Sequence, residues 1–344
     1  MIERLPGIFE IELTAGGEVT DKVRIFLIPG KPGERSLMID TGYNKPHCLR
    51  EIDEALETLG IDCGSLDVFL THIHHDHSGH AYVFAERGSR VFMNPQENRR
   101  HYDCLYYKRD QDDYSDQHQA VRSVGVTPEE TPQLWDMFTE IRLRVENNKG
   151  WIFEVPDFDF FPIKAGQIFS YGDYCFEAIH LKGHTYGQMG LYEREKRIVF
   201  TADQIIDGIV PIVGTTYPDE HLLKGYFDSL EQFKHEYADC LLIPAHEEII
   251  RDVKPVISRI VFAYLDKADM IKRILDHSRR KLTVREVACL AYGMKDLPGN
   301  MMELVKLKMV MSKSFSCLEY LLDEDFVIRT EENGIFYWQS AQRV

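Results

Sequence analysis

Apolar residues in this chain fall into short runs that end abruptly, and the runs read as strands. They are VRIFLIPG (23–30), SLMIDTG (36–42), LDVFLTH (66–72), SRVFMNP (89–95), YCFEAIHLKGH (174–184) and CLLIPAH (240–246). GLYEREKRIVFTAD (190–203) predicts a hairpin, with polar EREK between two apolar halves. Helical spacing appears between these runs. Ile52, Ala55, Leu56 and Leu59 lie at i, i+3, i+4 and i+7, and Gly60 follows as a stop. Leu223, Tyr226, Phe227 and Leu230 repeat the pattern, as do Val253, Val256, Ile257, Ile260, Val261 and Tyr264. Strands alternating with helices predict layers of both.

Two segments break the rhythm. Residues 97–150 are polar and aromatic, with a predicted helix around TPEETPQLWDMFTEIRLRVE, and read as a helical insertion carrying Tyr102, Tyr106, Tyr107, Trp135 and Phe138. From about 276 the pattern changes again. Thr283 and Glu286 have capping-box spacing at the head of a helix, a second helix covers roughly 301–322, and FVIRTEENGIFYWQ predicts a hairpin turning at Asn333-Gly334. Helices followed by a hairpin suggest a small winged-helix-like module. A chain of 344 residues exceeds the usual single core. The expected division is a catalytic domain over 1–250, with the insertion inside it, then a helical linker and the small domain over 251–344.

Charge and cysteine content narrow the classes. The net charge of −16 disfavours electrostatic binding to nucleic acid or anionic membrane. Seven scattered cysteines without a CxxC disfavour a disulfide framework or a cysteine zinc site. The opening MIERLPGIFEIEL lacks the apolar stretch of a signal peptide, and no window approaches 18 uninterrupted apolar residues. The expected location is the cytoplasm.

One stretch concentrates the chemistry. THIHHDHSGH (71–80) holds five of the 14 histidines. It lies inside the chain and is interrupted, unlike a purification tag, and it begins where the strand Val68–Leu70 ends. Functional groups gather at the carboxyl ends of strands in such sheets. His72 and His74 can aim at one point from an extended turn, and Asp76 and His77 follow where a helix begins. Other strand-like runs also end in a ligand-type residue: Asp40, His184, Asp203 and His246. A single such ending would carry little weight, but four of them beside an HxHxDH cluster point to a metal site.

These residues resemble the metallo-β-lactamase superfamily over positions 7 to about 250. All five signature positions stand in order: Asp40, then His72-x-His74-x-Asp76-His77, then His184 in GHTYGQMGL, Asp203 in TADQ and His246 in IPAHEE. The resemblance implies an α+β fold, an αββα sandwich with metals at one edge. It implies that His72, His74 and His184 hold one metal and that Asp76, His77 and His246 hold the other. Asp203 would bridge the two, with Asp40 orienting the site. Two divalent ions are then expected, zinc first, with iron or manganese as alternatives. A shared hydroxide would attack a carbonyl or phosphoryl centre, with Asp76 and Asp203 as the catalytic carboxylates. Some positions depart from the family: His80, Ala202 and the residues flanking His246 stand where glycine is common. His75 and His80 are read as non-ligands.

Histidine at position 74, where diiron oxygen reductases of this fold carry glutamate, and the complete second ligand set favour hydrolysis over redox chemistry. The two-part plan is similar to the β-lactamase-like protein 2 and glyoxalase II-like group. The expected function is hydrolysis of an ester or thioester of a small acyl substrate. The alternative is a phosphodiesterase or endoribonuclease acting on single-stranded RNA. Residues 276–344 hold ten basic and ten acidic residues, so they form no basic stripe. Tyr106, Tyr107, Trp135, Tyr186 and Tyr217 are candidate pocket residues, and a homodimer is a possible assembly.

Overall fold

The computed structural model describes residues 1–16, 19–100, 115–138, 157–215 and 217–341. The chain folds into two compact units. The first contains residues 1–101, 148–211 and 231–256; the second contains 102–147, 212–230 and 257–344.

The first unit is built on two sheets. One has seven strands in sequence order: β1 (Ile2–Leu5), β2 (Ile8–Gly16), β3 (Val19–Ile28), β4 (Ser36–Ile39), β5 (Leu66–Phe69), β6 (Arg90–Met93) and β7 (Phe161–Pro162). The other has five, ordered β12 (Leu241–Pro244), β11 (Ile198–Ala202), β10 (Met189–Glu193), β9 (Tyr174–His180) and β8 (Ile168–Tyr171). The period-two alternation of β3 explains the layers. Phe26 and Ile28 join Ile39, Phe69, Phe176, Leu191, Phe200 and Ile243 in a core shared by both sheets. Val23, Ile25 and Leu27 point the other way and join a second core with Ile52, Ala55 and Leu56 of α1 (Pro46–Leu59) and Phe84 of α3 (Ala81–Glu86). Helix α1 starts on Pro46, and it ends in the left-handed conformation at Gly60 (φ 66°), the stop that the sequence predicts.

Strands β4, β5 and β6 run parallel, as do β11 and β12, so their carboxyl ends collect at sheet edges. The hairpin predicted over 190–203 is present, with Glu193 opposite Ile198.

The second unit contains α5 (Ser115–Ser123), α6 (132–138), part of α7 (Leu222–Glu236), most of α8 (Val253–His277), α9 (Val284–Tyr292) and α10 (Met301–Asp323). Its three-stranded sheet is ordered β13 (Leu282–Thr283), β15 (Ile335–Ser340), β14 (Val327–Glu332). The capping box forms: Thr283 accepts from the Glu286 N–H, and the Glu286 carboxylate accepts from the Thr283 N–H at 2.9 Å. Residues 115–138 of the insertion belong to this unit and pack on the C-terminal module. The Arg285 N–H donates to the Val124 carbonyl at 2.9 Å, and its guanidinium to the Gly125 carbonyl at 3.1 Å. Tyr106 and Tyr107 lie outside the described residues. Among the described residues, no helix is long and apolar enough to cross a membrane, and the six described cysteines are free thiols.

Candidate metal centre

Each candidate side chain leaves a strand end or the turn just beyond it. Asp40 follows β4 directly, at φ 61°, and its N–H donates to the Phe69 carbonyl at 3.0 Å. His72 and His74 lie on the extended segment after β5, and Asp76 and His77 on the one-turn helix α2 (His75–Ser78) that follows. Gly79 lets this turn approach the Asp40 loop. A Cβ there would stand 2.3 Å from the Asn44 nitrogen and 2.4 Å from the Gly42 oxygen. Asp203 follows β11, where the register with β12 slips between Phe200 and Ala202 and Ala202 takes φ 46°. Such a bulge re-aims the next side chain.

The seven side chains form two groups. Donor atoms of His72, His74, His184 and Asp203 lie within 4.8 Å of one another, and so do those of Asp76, His77 and His246. In the first group, Nδ1 of His74 stands 3.0 Å from Nε2 of His72 and 3.0 Å from Nε2 of His184. Asp203 divides its carboxylate between the groups. Its Oδ2 lies 3.5 Å from Nε2 of His184, while Oδ1 lies 3.5 Å from Nε2 of His77 and 3.4 Å from Nε2 of His246.

Hydrogen bonds behind the rings set which nitrogen faces inward. His77 donates through Nδ1 to Asp40 Oδ2 at 2.8 Å, and His246 through Nδ1 to the Lys22 carbonyl at 2.5 Å. Both leave Nε2 turned to the centre, the arrangement a metal ligand needs. Asp40 is itself fixed, accepting from the Thr71 N–H at 2.8 Å and from its hydroxyl at 2.8 Å. Two inward atoms, Nε2 of His77 and Oδ1 of Asp203, are buried without a hydrogen-bond partner. Orphaned inward atoms of this kind, among histidines and carboxylates, fit divalent cations.

The charges are strongly coupled. Burial lowers the pKa of His74 to about 3, with His184 adding to the effect. Burial also disfavours a charged His246, yet Asp203 and Asp76 beside it push its pKa up to about 10. Asp203 is held well below the ordinary carboxylate value: burial opposes ionisation, and His246 and His77 outweigh it. His72 and His77 are fully buried, whereas His74, Asp76 and His246 are only partly so. The centre therefore opens on the side of those three.

The histidines read as non-ligands belong to neither group. His80 is buried and donates to the Lys45 carbonyl at 3.0 Å, and His75 is half-buried against Tyr43, with ring centroids 5.7 Å apart. Among the pocket candidates, Tyr186 is half-buried on the loop that carries His184, while Trp135 and Tyr217 are half-buried residues of the second unit. Sequence reasoning missed Glu97. This buried carboxylate accepts from the Ile73 N–H at 2.9 Å, the Gly187 N–H at 2.6 Å and the Thr185 hydroxyl at 2.7 Å. It sits four residues beyond β6, but within a polar stretch where one acid carries no spacing signal.

Among known proteins, the family model of the metallo-beta-lactamase superfamily matches residues 23–246. An atrochrysone carboxyl ACP thioesterase of Aspergillus novofumigatus is 24% identical over 271 residues, 76% of this chain and 63% of that protein. The hydroxyacylglutathione hydrolase GloC of Haemophilus influenzae is 40% identical over 45 residues, 13% of this chain and 21% of that protein. The chain thus spans less than two thirds of either relative. Two solved structures share the fold over 98% of this chain. They are a beta-lactamase domain protein from Burkholderia ambifaria (TM-score 0.74, 15% identity, 94% of that chain) and a metallo-beta-lactamase family protein from Thermus thermophilus (TM-score 0.69, 18% identity, 99% of that chain). The αββα sandwich, its paired His/Asp donor groups and a match covering most of the chain lead to one assignment: this protein belongs to the metallo-beta-lactamase superfamily.

Proposed function

We propose that the chain hydrolyses the ester or thioester bond of a small acyl substrate at a dinuclear metal centre. His72, His74 and His184 would hold one cation, Asp76, His77 and His246 would hold the other, and Asp203 would serve both. The observation that carries this reading is the divided carboxylate of Asp203, with one oxygen turned to each group. Divalent cations supply Lewis acidity and an acidified water when bound, and zinc suits the imidazole-rich set, with iron and manganese as alternatives.

The chain's own groups do the rest. Asp40 and the Lys22 carbonyl hold His77 and His246 in the tautomers that point inward. Asp76, on the open side with Oδ2 3.5 Å from Nε2 of His246, is placed to exchange a proton with substrate or leaving group. Tyr186, two residues after His184, is the pocket residue nearest in sequence to a ligand. The reading gives Tyr106, Tyr107, Trp135 and Tyr217 the same role of discriminating among acyl groups.

The acyl preference draws support from the thioesterase and hydroxyacylglutathione hydrolase named above. The zero net charge of residues 276–344 favours a packing or dimerising role for the C-terminal module over RNA binding. The proposed location is the reducing cytoplasm, in keeping with the free thiols. A turnover panel on metal-loaded protein tests the proposal, with acyl thioesters, esters, lactones, phosphodiesters and single-stranded RNA. Acyl thioesters or esters should turn over fastest. Faster cleavage of RNA or phosphodiesters would overturn the acyl reading.

A further inference from the structure

We infer that Glu97 is a positioning residue that joins the two ligand loops of the first metal position. This inference rests on the dinuclear reading above. The three imidazoles of that position come from different sheets: His72 and His74 follow β5 of the larger sheet, and His184 follows β9 of the smaller one. Their ring nitrogens must meet at one point, so the two loops must keep a fixed separation. Glu97 spans it. Its Oε2 accepts from the N–H of Ile73, the residue between His72 and His74, at 2.9 Å. Its Oε1 accepts from the Thr185 hydroxyl at 2.7 Å and the Gly187 N–H at 2.6 Å, one and three residues past His184.

The surroundings are built for this grip. Asn94, at the head of the same helix α4 (Pro95–Arg100), donates to the Gly187 carbonyl at 2.8 Å. Gly187 has no room for a side chain: a Cβ would lie 2.9 Å from the Glu97 nitrogen and 3.0 Å from its Oε1. The carboxylate is 2% exposed, so water cannot take its place.

A carboxylate suits the task because both of its oxygens accept. Glutamine keeps the size, but it offers one acceptor and turns an NH2 toward an N–H donor on the other side. Glu97→Gln should therefore loosen one loop and spread the three imidazoles. Outer groups that orient ligands typically contribute about 10–100-fold in metal affinity.

The test is titration of metal-free protein with Co²⁺, reading affinity by chelator competition and site geometry from the visible absorption of the bound ion. Asp67→Asn serves as the control. Asp67 is an equally buried carboxylate at the opposite end of the parallel strands, bound to Arg35, Arg90 and Tyr171. Glu97→Gln should weaken the first cobalt about 10–100-fold and alter its absorption, while Asp67→Asn should leave both as in wild type. Thr185→Val removes one of the three bonds without touching the carboxylate. It should shift affinity in the same direction by less, and it stands in if Glu97→Gln does not fold. Wild-type cobalt affinity and absorption in both Glu97→Gln and Thr185→Val would overturn the inference, as would an equal change in Asp67→Asn. If wild-type protein binds no cobalt, the dinuclear reading itself fails, and the inference with it.

Discussion

Two buried glutamates, one in each unit, are held in the same way. Glu97 accepts from two backbone N–H groups and a threonine hydroxyl, and so does Glu319 on α10. The donors to Glu319 are the Thr215 hydroxyl at 3.0 Å, the Asp219 N–H at 2.6 Å and the His221 N–H at 3.2 Å. Burial raises the pKa of both, against the pull of those hydrogen bonds, and that of Glu319 reaches about 7. The difference lies in what the donors carry. Those of Glu97 flank His72, His74 and His184; those of Glu319 lie on the 215–221 loop, whose residues belong to neither donor group. The same device thus shapes a metal centre in one unit and fastens a loop in the other. Chemistry and stability should respond to different substitutions.

The largest effect is expected at the residue shared by both donor groups. Asp203→Ala should abolish turnover and lower metal content together, measured by activity assay and elemental analysis on the same preparation. His80→Ala, which removes a bond to the Lys45 carbonyl and no donor, should retain both metals and most activity. Equal damage from the two would mean that the ligand set is incomplete.

A selective effect is expected at Arg24. This buried guanidinium binds Glu248 at 3.1 Å, while the Arg24 N–H donates to the Ala245 carbonyl at 2.7 Å, so β3 steadies the loop around His246. Glu10 keeps its bonds to Arg4 when Arg24 is replaced. Arg24→Met should weaken the second metal about tenfold and spare the first, read by stepwise titration. Parallel weakening of both would contradict separate anchoring.

Glu319 sharpens the comparison through pH. Its pKa in the folded chain, about 7, exceeds the ordinary 4.5. Between those values the folded state holds a proton that the unfolded state has lost, so stability falls as pH rises through that window and levels off above it. Glu220 faces the carboxyl and favours the proton, His221 opposes it, and His221 is itself paired with Asp323 at 2.9 Å. Glu319→Gln removes the titration. The melting temperature of wild type relative to Glu319→Gln should therefore drop by a few degrees from pH 5 to pH 7, with metal content equal in both. A flat difference would refute the assignment.

The smallest effect concerns backbone strain. Glu247, exposed beside His246, takes φ 58°, a region that costs a non-glycine residue about 1–2 kcal/mol. Glu247→Gly should raise the melting temperature slightly without changing metal content. A lower melting temperature would show that the side chain contributes more than the strain it carries.

The metal centre was legible in the sequence because every donor follows a strand end, and strand ends are marked by where apolar runs stop. Asp40, Asp203 and His246 stand out this way even though Asp40 lies 37 residues from His77 and His246 far from Asp76 in the chain. The departures from glycine at Ala202 and Glu247 also had a structural meaning, since both residues take positive φ (46° and 58°). Glu97 was not legible. Its bonds reach 24 residues back and 90 forward, and one acid within a polar stretch carries no spacing signal. Nor was the joining of the insertion to the C-terminal module, which rests on Arg285 reaching Val124 and Gly125. The β1–β2 pair went unread although Ile8, Ile11 and Leu13 mark buried positions. Strands β7 and β13, two residues each, are too short for any pattern to reveal.

The central claim is that two donor groups share Asp203 and hold two cations. Elemental analysis of purified, metal-replete protein tests it most directly. Wild type should hold two divalent metals per chain, and Asp203→Ala fewer. No more than one metal per chain in fully replete wild type would contradict it.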